Sequence, residues 1–190
     1  MKVPGKITVC RTREALSVAA GRCVVRVAAR AIERRRAFTV ALSGGSLVEI
    51  LSPRLIESSL RAEVDWSCWD IYWADERCAP WTSPESNYGT ADRLLFRHVH
   101  IPRDKIHPLD DRLGAAEAAE SYESTLRERL RPKAGSLPRF DLVLLGVGKD
   151  GHTASLFPDS PLLYEARRWV APVLGAPKPP PERVTLTLPV

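Results

Sequence analysis

Across residues 13–36 the apolar positions return at three- and four-residue steps, through Leu16, Ala19, Cys23, Val27 and Ala31 among others. That period predicts an amphipathic helix, and Thr12 stands where a capping hydroxyl is wanted. Phe38 to Leu42 is a short β-rich run that closes on Ser43-Gly44-Gly45-Ser46, and helical spacing resumes over residues 47–60 in spite of Pro53. The pattern reads as strand, glycine turn, helix. Trp69 to Trp73 predicts a second strand, ending in Asp75-Glu76-Arg77 and then a long loop marked by Pro80, Pro84 and Asn87. Residues 88–99 and 115–130 carry helical periodicity, the second stopped by Pro132.

Residues 141–147 are almost all aliphatic. A strand apolar on both faces belongs in the interior of a parallel sheet covered by helices. Residues 170–173 and 184–188 are further strands, separated by a Pro-rich connection over 177–181, and no internal repeat interrupts the series. Alternating strands and helices predict an α/β fold: a Rossmann-like open, mostly parallel sheet with helices on both faces. In such sheets ligands bind beyond the carboxyl ends of the strands, and each polar cluster stands at such an end.

Composition narrows the class. With 190 residues, 44% of them hydrophobic and 27% charged, the chain is expected to fold as one domain, 1–190, and not as a disordered or fibrous chain. The net charge of +5 is spread along the chain. Its densest run, Arg34-Arg35-Arg36, falls at a predicted helix end, where cations suit the helix dipole, so no nucleic-acid partner is expected. A small anionic ligand also fits that balance. Cys10, Cys23, Cys68 and Cys78 form no CxxC pair and suggest no zinc spacing, which predicts reduced thiols in a cytoplasmic protein. Residues 1–9 hold charges and a proline without a signal-length apolar stretch, and arginines break the later Val-Ala-rich run, so no membrane segment is expected.

Three clusters are candidates for chemistry. Ser43-Gly44-Gly45-Ser46 lies between a strand and a helix, where backbone N–H groups approach an anion; a tight turn with a serine cap would use the same residues. Asp75-Glu76-Arg77 sets a guanidinium suited to phosphate or carboxylate beside two carboxylates, and on residues alone a solvated ion-pair turn accounts for it better. Gly146-Val147-Gly148-Lys149-Asp150-Gly151-His152-Thr153 packs glycines around an imidazole that can take a proton near neutral pH and an Asp that can orient it. A histidine that merely closes a turn is the bland reading. His98, His100 and His107 are read as surface residues. No Gly-x-Ser-x-Gly elbow favours a nucleophilic serine. Gly146, Gly148 and Gly151 match dinucleotide-binding spacing, but Pro158 follows too soon for the helix that motif needs.

Taken in order, Ser43-Gly44-Gly45-Ser46, Asp75-Glu76-Arg77 with Ser86-Asn87-Tyr88-Gly89, the run from Leu145 to Pro158, and the run from Lys178 to Pro189 resemble the successive motifs of 6-phosphogluconolactonases. The resemblance implies a fold shared with glucosamine-6-phosphate deaminases and hydrolysis of 6-phospho-D-glucono-1,5-lactone to 6-phospho-D-gluconate in the pentose phosphate pathway. It implies a sugar-phosphate partner, no cofactor and no required metal; a monomer is a separate expectation. His152 would be the base that activates water and Asp150 its electrostatic partner. Ser43, Gly44, Gly45 and Ser46 would hold phosphate or ring hydroxyls, and Arg77 and Arg183 the anionic substrate, with Asp75 and Lys149 in the same substrate-binding set. The deaminases resemble a motif with an acidic residue where this chain has Phe157, which favours the lactonase reading. Lactonases of this type also continue past the Thr-Leu-Thr-Leu-Pro strand, with a glycine-lysine segment near the phosphate, whereas this chain reaches Val190. A C-terminal segment is therefore expected to be lacking, which would expose apolar surface or a strand edge. A form that binds sugar phosphate without turnover is the competing expectation.

Overall fold

The computed structural model describes residues 5–190, so the reading of the N-terminal stretch falls partly outside the described residues. Thr12 caps the first helix as its position predicts: its hydroxyl accepts from Ala15 N at 3.0 Å, and α1 (Arg13–Arg35) runs until Arg36 turns left-handed. Burial falls on Val24, Ala28 and Ala31, while Leu16 and Cys23 of the same apolar pattern are exposed, because the helix meets the core over its second half. The helix expected over 47–60 is two, α2 (Ser46–Leu55) and α3 (Ser58–Glu63). Pro53 withholds one N–H from the helical ladder, and α2 lasts only two residues beyond it.

β1 (Phe38–Leu42) is the central strand of a parallel sheet, with β2 (Trp69–Trp73) on one side and β4 (Leu142–Leu144) on the other. Phe38, Val40, Ala41 and Ile71 are fully buried there, each larger side chain contributing about 1.5–3 kcal/mol against exposure. The aliphatic run over 141–147 was expected in the sheet interior. It forms a strand only over Leu142–Leu144 and ends the order β2-β1-β4, with Leu145 47% and Val147 81% exposed. Among the described residues only one edge of β4 has a partner strand, so its outer side has nothing to bury it.

At Ala74 the chain passes from this sheet into a second one: Ala74 N donates to Leu42 O, and Ala74 O accepts from Leu186 N. The second sheet is antiparallel, in the order β3 (Asp75–Arg77), β6 (Arg183–Leu186), β5 (Val170–Val173). The polar cluster read as a turn closing the second strand is thus itself a strand. Helices flank the sheets. α4 (Asn87–Leu94) follows the loop, and α5 (Ala115–Leu130) buries Tyr122 and Leu126, the Tyr122 hydroxyl accepting from Trp73 N at 2.6 Å. Glu123 Oε2 accepts from Trp169 N and Val170 N and so fixes the start of β5.

His98 and His100 are exposed, as expected, but His107 is not. Ile106 bridges to Ile71 as an added edge of the sheet, and this draws the His107 ring onto Tyr72, centroids 4.5 Å apart, with only 7% of the residue exposed. All four cysteines are free, and among the described residues no helix is long and apolar enough to cross a membrane.

Candidate active site

Because β1, β2 and β4 are parallel, the segments that follow them emerge at one edge. They meet in a cleft of about 150 Å³ lined by the Ser43–Ser46 turn, Asp75 and Arg77 of β3, Arg183 of β6, and Gly146, Val147, Gly148, His152 and Ala154 from the loop after β4. Larger hollows of about 370, 490 and 530 Å³ lie elsewhere on the surface. What distinguishes the small cleft is that segments from three strand ends bring hydrogen-bond donors and an imidazole to it.

One side of the cleft is buried and internally bonded. Asp75 takes the Ser43 hydroxyl on Oδ1 at 2.5 Å and the Ser155 hydroxyl on Oδ2 at 2.8 Å, tying the first turn to the third loop through the second strand end. Asn87 Nδ2 donates to Asp75 O at 2.8 Å, and its carboxamide occupies the space a Cβ on Gly44 would need. Residue 44 must therefore be glycine for the turn to lie this close. Glu76 is equally deep: Oε1 accepts from Arg77 N and Asn87 N, and Oε2 from Tyr88 N, all at 2.7 Å. Its carboxylate thus satisfies the open N–H groups at the start of α4. Burial pushes its pKa up to about 7, against the pull of these bonds. The solvated reading of Asp75-Glu76-Arg77 is wrong, since both acids are buried.

The antiparallel register places Arg77 directly opposite Arg183. Like charges so placed repel unless an anion lies between them. Burial first, and then the facing Arg77, pushes the Arg183 guanidinium down from its ordinary value. Arg77 Nη1 donates to Glu85 O at 2.6 Å, while its buried Nε has no partner among the described residues. Beside them begins α2, whose N-cap Gly45 offers no side-chain cap, so its first N–H groups remain available to a ligand. Among the described residues no cluster of His, Cys, Asp and Glu has the geometry of a metal site.

The other side of the cleft carries the His152 imidazole. Gly148 N donates to His152 O at 2.8 Å and Gly151 N to Gly148 O at 2.9 Å, closing a turn that projects Asp150 and His152 together. The His152 ring lies where a Cβ on Gly148 would fall, which explains that glycine. His152 Nδ1 is 2.5 Å from Asp150 Oδ1. An ionised carboxylate has no proton to give, so the proton between the two groups sits on Nδ1, and in the neutral ring the lone pair is left on Nε2. Lys178 first, and His152 second, hold the Asp150 carboxyl well below the usual range. Phe157 is buried against the imidazole, ring centroids 4.8 Å apart.

The structure brings Ser43, Gly44, Gly45, Ser46, Asp75, Arg77, Arg183 and His152 to the cleft, with Asp150 bonded behind His152. Lys149 stays exposed on the turn and does not line it. Asp75 spends both oxygens on serines, and Arg183 spends Nε and Nη2 on carbonyls of its own loop, which makes both partly scaffolding. Asn87, Ser155 and Lys178 were not singled out from the sequence as parts of the site, and Glu76 was named only within its cluster, with no role. Asn87 reaches back 12 residues to Asp75, Ser155 reaches 80 residues to Asp75, and the Lys178 ammonium lies 26 residues from His152, so no local spacing marks them.

Fold and site together define an open-sheet α/β protein with two facing arginines and an aspartate-bonded histidine at its strand ends. A family model described as glucosamine-6-phosphate isomerases/6-phosphogluconolactonase matches residues 11–190, and the chain belongs to that family. It is 42% identical over 189 residues to human 6-phosphogluconolactonase, covering 98% of this chain and 72% of that one. It is 41% identical to a rice protein named "Probable 6-phosphogluconolactonase 3, chloroplastic", covering 93% of this chain and 56% of the relative. The chain thus spans little more than half the length of that relative. Among solved structures, 6-phosphogluconolactonase from Trypanosoma cruzi superposes with a TM-score of 0.86 at 33% identity, covering 98% of this chain and 76% of that one.

Proposed function

We propose that the chain hydrolyses 6-phospho-D-glucono-1,5-lactone to 6-phospho-D-gluconate, and so serves the pentose phosphate pathway. The single observation that carries this reading is the convergence, in one cleft, of the Asp150-oriented His152 with the opposed Arg77 and Arg183. The two guanidiniums and the first turn of α2 bind the phosphate, as Arg forks and helix N-termini do. Ring hydroxyls fall to the Ser43–Ser46 turn. His152 Nε2 takes a proton from water as the water oxygen bonds to the lactone carbonyl carbon, and backbone N–H groups of the glycine turns face the developing oxyanion. Collapse of the tetrahedral intermediate breaks the ring C–O bond, and the imidazolium returns its proton to the departing ring oxygen. The acid product loses a proton to solvent, so atoms and charge balance with no cofactor.

A deaminase of the same family would have to carry protons along a sugar chain. Phe157 supports the hydrolase, because a phenyl ring packed on His152 can move none. The four free cysteines support a reducing, cytoplasmic setting. The test is the loss of freshly generated 6-phosphogluconolactone with purified protein, run beside glucosamine 6-phosphate. Lactone loss well above the spontaneous rate with the amino sugar untouched is expected; spontaneous-rate loss would sink the proposal.

A further inference from the structure

Lys178 lies in the Pro-rich connection ahead of β6, and the hydrolysis described above gives it no task. Its ammonium is nevertheless the closest cation to the reacting pair: Nζ is 2.8 Å from Asp150 Oδ2 and 3.4 Å from His152 Nδ1. The connection that carries it is fixed from below. Arg183 donates to the carbonyls of Lys178, Pro179 and Pro180 at 2.9, 3.0 and 3.0 Å, which anchors this stretch on β6.

The donor arithmetic is specific. Asp150 gives one oxygen to the Nδ1–H of His152 and the other to Lys178, so neither donor displaces the other. Ammonium has no lone pair and Nδ1 has spent its own on a proton, so the 3.4 Å approach is a meeting of charge with ring and not a hydrogen bond. Its electrostatic consequence follows from the two oppositely charged neighbours. A bare carboxylate beside an imidazole fixes the tautomer but also favours the imidazolium, and an imidazolium cannot accept a proton from water. A cation on the far oxygen cancels much of that pull and leaves the orientation intact.

We infer that Lys178 is a positioning residue that completes a Lys178–Asp150–His152 row, balancing the charge of Asp150 so that His152 is both oriented and unprotonated when substrate arrives. The other charged groups facing the ring are Arg77 and Asp75 from β3 and Arg183 from β6, whose guanidinium lies 5.6 Å over the Phe157 ring that packs on His152. Lys149 belongs to the same turn and is exposed. All of these stay in place when only Lys178 is changed.

This inference rests on the proposed role of His152 as the base, and its test requires no turnover. The imidazole proton resonances of His152, assigned by their loss in His152→Gln, are titrated by NMR in the wild type, Lys178→Met and Lys178→Arg. Removing the cation and leaving Asp150 unbalanced both favour the protonated ring, so the Lys178→Met midpoint should rise by about one pH unit at low salt. Lys178→Arg should return it close to the wild-type value, and added salt should shrink the difference. A purely structural role would give no such rescue or salt dependence. In the lactone assay the acid limb of the rate profile should move the same way. A Lys178→Met midpoint that is unchanged or lower, in a protein with wild-type spectral dispersion, would overturn the inference. A silent lactone assay alongside a shifted midpoint would count against the hydrolase reading and leave the role of Lys178 standing.

Discussion

The two sides of the cleft are built differently. On one side Ser43, Asp75, Glu76, Asn87 and Ser155 are all buried, and hydrogen bonds run among them or to the backbone around them. On the other side Asp150, His152 and Lys178 sit at the rim, on a loop that follows the edge strand β4 and a Pro-rich connection. The first side is set by folding, because each of its polar groups would cost about 1–3 kcal/mol if left unpaired in the interior. The second is set by local turns and charge, where water competes with every contact and proton transfer remains open. In the proposed reaction, anchoring an anion and moving a proton place opposite demands on solvent access, and the cleft would divide them between its walls.

Breaking the buried side should produce the largest loss of stability. Glu76→Ala would orphan the Arg77, Asn87 and Tyr88 N–H groups, each costing about 1–3 kcal/mol, a large part of the about 5–15 kcal/mol that holds a domain together. Chemical denaturation should find that variant unfolded or nearly so. Glu76→Gln is milder, because its NH2 opposes at least one N–H donor, and about 1–3 kcal/mol should be lost. The pair also separates by pH. An acid whose folded pKa is raised from 4.5 to about 7 binds more protons when native than when unfolded between those values, so its stabilising contribution is complete below 4.5 and is lost as pH rises through about 7. Wild-type denaturation midpoints should show that decline, and those of Glu76→Gln should lack it.

Gly44→Ala should do less to the fold and more to binding. Its Cβ would meet the Asn87 carboxamide, and the turn can yield toward solvent at Gly45, which is exposed. A stability loss near the lower end of about 1–3 kcal/mol is expected. Because the displaced turn is the one proposed to hold substrate, KM should rise more than kcat falls. An unchanged KM would separate the turn from the substrate.

Much of the parallel sheet was legible in the sequence, because hydrophobic period and glycine turns are local signals: Phe38–Leu42, Trp69–Trp73 and Ala115–Leu130 fall where they were expected. So do the three strand-end clusters. The errors share a cause in partners remote along the chain. The aliphatic run 141–147 looks central by composition, yet its place in the order is decided by what stands beside it. Asp75 and Glu76 look solvated until Ser155 and the start of α4 are brought to them. His107 looks like a surface residue until Ile106 joins the sheet. Lys178 and the Arg77–Arg183 opposition depend on the β3–β6 register, which no local spacing encodes.

The division of labour between the two walls stands or falls on His152. The direct measurement is the concentration dependence of lactone hydrolysis by His152→Ala beside the wild type, each corrected for spontaneous loss. Removing a base from a site whose anion cradle is intact should lower kcat by about 10²–10⁴-fold while KM stays close to the wild-type value. A variant that keeps most of the wild-type kcat would contradict the account.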